Sequence, residues 1–82
     1  MTEREWRMQR ELLGKLYDKI NALRIKEKKY NNDVWTRLDE AIERKDKEGA
    51  EELGSLWDIS SGYERAYDNV LAIIEETMSN LD

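Results

Sequence analysis

Apolar side chains recur along this chain at alternating steps of three and four residues. One series runs Trp6, Gln9, Leu13, Leu16, Ile20, Leu23, Glu27, Tyr30, flanked by Leu12 and Tyr17. That spacing places one stripe along one face of a helix of about 27 residues, some 40 Å long. Thr2-Glu3-Arg4-Glu5 fits a capping box at its start, the hydroxyl and the carboxylate each closing a free N–H of the first turn. Gly14 lies beside the stripe, where its lack of a side chain fits the close approach of a neighbouring helix. Tyr30-Asn31-Asn32-Asp33 is the clearest turn signal, because Asn and Asp tolerate left-handed dihedrals and cap helices. The first helix is therefore expected over residues 3–29. A second, over 34–45, reads Val34, Trp35, Leu38, Ala41, Ile42. Asp46 is placed to cap a third, expected over 47–80.

The third element carries the longest pattern: Ala50, Leu53, Trp57, Ser60, Glu64, Tyr67, Leu71, Ile74, Met78, Leu81, with Leu56, Tyr63 and Val70 running beside it. In its middle, Ser61-Gly62-Tyr63-Glu64 resembles another capping box, and Asp58 to Gly62 favour helix poorly. A new helix would be expected to reset the phase of the stripe, and the phase passes through unchanged. The favoured reading is one long helix, the alternative four short helices with a break at Ser60–Gly62. In the favoured arrangement the second helix spans only about 18 Å and the third about 50 Å, so the third would overhang by some 30 Å. The overhang would expose Tyr67, Val70, Leu71, Ile73, Ile74, Met78 and Leu81, more apolar surface than a monomer tolerates. All of these but Ile73 form the expected self-association surface. The fold class is all-α: a single helical domain, 1–82, as a three-helix bundle or helical hairpin with a long C-terminal helix.

Composition narrows the function. The 82 residues include no Cys, His, Pro or Phe, so no disulfide framework, thiolate or imidazole chemistry is available. Charged residues make up 40% and hydrophobic ones 39%, too apolar for a disordered tail and too polar for a membrane span. A charged N-terminal stretch argues against a secretory signal, and a cytoplasmic location is the expectation. The net charge of −5 is uneven. Residues 1–30 hold nine Lys and Arg against five Asp and Glu, while residues 31–82 hold five against fourteen. The two segments should attract one another.

Three tryptophans, Trp6, Trp35 and Trp57, fall on or beside the stripes and read first as packing residues. Trp6, near a chain end, is also placed to anchor a partner. The run Arg24-Ile25-Lys26-Glu27-Lys28-Lys29-Tyr30 complements a helix C-terminus, and it offers cations and a stacking ring to a phosphate backbone. Trp6, Arg24, Ile25, Lys26, Lys28, Lys29 and Tyr30 are thus the expected partner-binding set.

The only metal-ligand side chains are carboxylates. Asp39-Glu40-Ala41-Ile42-Glu43 followed by Glu64-Arg65-Ala66-Tyr67-Asp68 resembles the EExxE…ExxD motif of the all-helical nucleotide pyrophosphatases. Those enzymes hold magnesium between two helices. The resemblance departs at Asp39, which stands for a Glu, and at the Glu64–Asp68 spacing of four. A long-short-long trio of helices is also similar in architecture to the helical chorismate mutases, whose site would call on Arg10, Arg24 and Lys28. The expectation carried forward is a non-enzymatic protein–protein interaction protein, without cofactor or metal: a small adaptor, inhibitor or regulator, of the kind carried by phages and mobile elements. Its partner is itself or another protein, with nucleic acid as the alternative ligand and no membrane.

Overall fold

The computed structural model describes residues 1–81. The chain forms two antiparallel helices, α1 (Glu3–Glu43) and α2 (Lys47–Leu81), packed as a hairpin of 63 × 15 × 13 Å. Thr2 caps α1, its Oγ1 accepting from the Glu5 N–H at 3.2 Å. Asp46 caps α2, its Oδ1 accepting from the Gly49 N–H at 3.0 Å. Both caps stand where the Thr and Asp side chains placed them.

The expected turn at residues 31–33 does not form, and α1 continues ten residues beyond it. The three-helix arrangement is thereby corrected to two helices, with no break at Ser60–Gly62. The residues that read as a turn are absorbed into helix by side-chain bonding. The Thr36 hydroxyl donates to Asn32 O at 3.0 Å, and Asp33 pairs with Arg37 one turn on at 3.3 Å. Asn31 turns its amide across to α2. Asn and Asp lose only a few tenths of a kcal/mol against average residues inside a helix, which packing readily offsets.

The true reversal lies at Arg44–Asp46. Lys45 adopts φ 59°, the Lys45 N–H donates to Ile42 O at 3.0 Å, and the Asp46 N–H donates to Ala41 O at 2.9 Å. This pair of bonds is the Schellman pattern that closes a helix C-terminus, here with a lysine in the left-handed position usually taken by glycine. Asp46 completes the end of α1 with its N–H and opens α2 with its carboxylate, so three residues suffice.

Because α1 has 41 residues and α2 has 35, α1 runs alongside the whole of α2 and no part of α2 overhangs. The seam between them follows heptad spacing on both. On α1 it comprises Trp6, Arg10, Leu13, Tyr17, Ile20, Arg24, Glu27, Asn31, Val34, Leu38 and Ala41, and on α2 the stripe from Ala50 to Leu81. Cross-helix bonds fix the register: steps of seven along α1, from Tyr17 to Arg24 to Asn31, meet steps of seven back along α2, from Glu75 to Asp68 to Ser61. This sets Val34 level with Trp57, Asn31 with Ser60 and Glu27 with Glu64. The enclosed apolar core is thin: among the described residues only Val34, Ala41, Leu71 and Ile74 are buried apolar side chains.

Gly14 has no heavy atom within 4 Å of the position a Cβ would occupy, and neither has Gly62. The close approach expected at Gly14 does not occur within the hairpin, whose spacing is set by the larger seam side chains.

Candidate interaction surface

An antiparallel pair of heptad helices has two flanks, one formed by the positions just before each a residue and the other by those just after each d residue. In this hairpin the two flanks differ in chemistry. One is polar along most of its length. The Tyr17 hydroxyl donates to Glu75 Oε1 at 2.9 Å, and Arg24 pairs with Asp68 at 2.5 Å. The hydrogen bond to the Glu75 carboxylate, and that charge itself, raise the Tyr17 hydroxyl above the ordinary tyrosine range. Trp35 lies on this flank near the loop, its ring 5.6 Å from that of Trp57.

The other flank is apolar and exposed. From α1 it carries Leu16, Leu23 and Tyr30, with Leu12 beside them, and from α2 Leu56, Ile59, Tyr63, Val70 and Ile73. Each keeps 38–64% of its free exposure. Between the helices the flank sinks into a groove of about 460 Å³, walled by Leu23, Tyr30, Leu56, Ile59 and Tyr63 and rimmed by Lys26. Its floor, on the seam side, holds Glu27, Ser60 and Tyr67.

That floor belongs to a polar layer at mid-seam. Asn31 Nδ2 donates to Ser61 Oγ at 3.2 Å and to Trp57 O at 3.5 Å. Ser60 keeps only 1% of its exposure, and its Oγ has no hydrogen-bond partner. Elsewhere on the helices Thr36, Ser55 and Thr77 donate back to the carbonyl four residues earlier, the usual outlet for a helical hydroxyl. Ser60 does not use it.

The residues expected from the sequence are distributed as follows. Of the expected self-association set, Leu71 and Ile74 are buried against α1, and Tyr67, Met78 and Leu81 lie half-buried on the same seam. Only Val70 faces outward on the apolar flank. The stripe needs no second copy because the longer α1 covers it. Of the expected partner-binding set, Tyr30 and Lys26 reach the groove. Trp6 is engaged within the chain, its Nε1 donating to Leu81 O at 2.6 Å and its ring lying 5.4 Å from the Arg10 guanidinium carbon. Ile25 is 47% exposed on the side away from the groove. Arg24, Lys26, Lys28 and Lys29 point to different sides, since each residue advances about 100° around a helix. With Arg24 already paired to Asp68, they do not form one basic track.

The two acidic segments, 39–43 and 64–68, lie roughly 20 Å apart along the hairpin, given about 1.5 Å per residue and the observed register. They do not converge on one ion, and among the described residues no group of three or more acids is disposed to hold a metal. Arg10 and Arg24 are likewise separated by about 20 Å along α1.

The expected sites do not include Leu56, Ile59, Tyr63 and Ile73, and the hydrophobic pattern places Leu16 and Leu23 on the seam. The spacing of Leu56, Tyr63 and Val70 at seven was the available signal. Among the described residues, no helix is long and apolar enough to cross a membrane. The chain matches none of the protein-family models, curated proteins or solved structures with which it was compared.

Proposed function

We propose that the hairpin is a non-enzymatic protein–protein interaction module whose recognition surface is the apolar flank centred on Tyr63. One observation carries this reading: a second apolar face runs beside the seam of a hairpin whose seam alone encloses only four apolar side chains. Scattered exposed apolar residues are ordinary, whereas a contiguous set on one face marks a docking surface. The tyrosines suit such a role, combining a large apolar body with a hydroxyl that tolerates the rim of an interface. The groove's polar floor would add orientation to an otherwise greasy contact.

A photo-reactive benzophenone side chain at position 63, compared with one at position 65 on the polar flank, tests the reading. Irradiation in the host cell should give protein adducts from position 63 and few from position 65. No adduct from 63, or equal labelling from both, would overturn it.

A further inference from the structure

We infer that the apolar flank is covered by a second copy of this chain, packed about a two-fold axis perpendicular to the long axis of the hairpin. The two α2 helices then run antiparallel against each other and the two loops lie at opposite ends of a four-helix bundle. The inference rests on the interaction reading above and names its partner.

The α2 flank is self-complementary. Leu56, Ile59, Tyr63, Ala66, Val70 and Ile73 form a second three-four series, all exposed. Reversed end for end, the series lands on itself. Leu56 meets the partner's Ile73, Ile59 meets the partner's Val70, and Tyr63 meets the partner's Ala66. Each pairing joins the two kinds of seam position that face each other in antiparallel coiled coils. The largest side chain of the series falls opposite the smallest, at the centre of the contact. The series also straddles the middle of α2, so a two-fold axis there overlaps it fully.

The alternative two-fold, parallel to the long axis, would set α2 against the partner's α1 with both loops at one end. The corresponding α1 positions include Lys19, Lys26 and Asp33, so apolar Ile59, Ala66 and Ile73 would face charges. It would also set groove against groove. The perpendicular axis instead brings the groove near Ile59 and Tyr63 against projecting Val70 and Ile73 of the partner subunit.

The area is adequate. From the exposed fractions, the flank offers roughly 800 Å², about what each partner of a stable complex contributes.

The test uses the intact chain. Light scattering across a dilution series should give the mass of two chains. Ala66→Glu, at a position already exposed in the hairpin, should weaken the dimer at least a hundredfold, about 3 kcal/mol, with unchanged far-UV circular dichroism. Ala72→Glu places the same change on the polar side and should leave the dimer intact. A spin label on Lys47→Cys, specific because the chain has no cysteine, should report an interlabel distance of roughly 50 Å. A one-chain mass at every concentration, equal disruption by both glutamates, or a distance below about 30 Å would each overturn the proposal. A monomer whose position-63 crosslinks capture a different protein would remove self-pairing and leave the interaction reading standing.

Discussion

Replacing Ser60 by alanine should make the protein more stable, an uncommon outcome for a fully enclosed seam residue. Ser60 is 1% exposed and its hydroxyl has no hydrogen-bond partner, although it sits in a helix where the carbonyl four residues back is the usual acceptor. Three contributions decide the sign. An enclosed hydroxyl without a partner costs about 1–3 kcal/mol relative to its hydrated state. Serine is a weaker helix former than alanine by roughly 0.5 kcal/mol. Against these, removing one atom forfeits a few contacts at about 0.1–0.2 kcal/mol each. The balance favours Ser60→Ala by about 1.5 kcal/mol. For a chain of 82 residues that is a rise in Tm of roughly 6–12 °C, and a rise in the urea midpoint of about 1 M or more. Urea unfolding followed by circular dichroism, at a concentration where mass measurement shows one chain per particle, isolates the hairpin. Asn31→Ala, across the seam in the same layer, supplies the contrast. It removes the amide that bonds Ser61 and Trp57 O, and should lower stability by about 1–2 kcal/mol. An unchanged or lower midpoint for Ser60→Ala would refute the reasoning, because it would mean the hydroxyl is satisfied in solution.

Two of the three glycines with open surroundings make a second test. Gly14→Ala and Gly62→Ala each add a methyl where nothing lies within 4 Å, and each should stabilise the helix by about 1 kcal/mol. Distant sites add, so the double variant should gain the sum in the same urea assay; a loss at either site would show that the helices approach more closely than described. A third concerns pH. The folded state holds Tyr17 above its unfolded value, so this contribution is complete below about pH 10 and is lost as pH rises through the folded value. Tyr17→Phe should flatten that alkaline loss, and absorbance at 295 nm should show one tyrosine titrating later than the rest. Unchanged alkaline behaviour in the variant would count against the Tyr17–Glu75 contact.

The sequence was most readable where one residue type does one job. Thr2 and Asp46 announced helix starts, and the seam of α2 was legible from Ala50 to Leu81 because its apolar positions leave few rival phases. On α1 the phase was ambiguous. At alternate positions the seam uses Arg10, Tyr17, Arg24 and Asn31, whereas the more apolar residues one position earlier, Leu16, Leu23 and Tyr30, stand outside it. Ranking by hydrophobicity selects the second set, which assigns the exposed flank to the interior. Long side chains such as Arg10 and Arg24 occupy seam positions by laying their stems along it and carrying the charge to the edge, which hydropathy does not register. The turn was misplaced for a related reason. Asn31-Asn32-Asp33 favours reversal locally, but the series Glu27, Asn31, Val34, Leu38, Ala41 keeps its phase across it. Continuity of phase, which spoke for an unbroken α2, speaks equally for an unbroken α1.

The three-residue turn at Arg44–Asp46 also bears on how copies of the chain can exchange segments. Many helical hairpins can open at the loop, fuse their helices into one rod and pair with a second opened copy. Here the last seam residue of α1, Ala41, and the first of α2, Ala50, are nine residues apart, which in a continuous helix rotates one against the other by about half a turn. A fused rod would carry its first stripe on one side and its second on the other. Two such rods could not meet along both stripes without winding half around each other at the junction. The spacing across the turn therefore opposes domain exchange independently of the backbone conformation of Lys45, and it keeps each α1 paired with the α2 of its own chain.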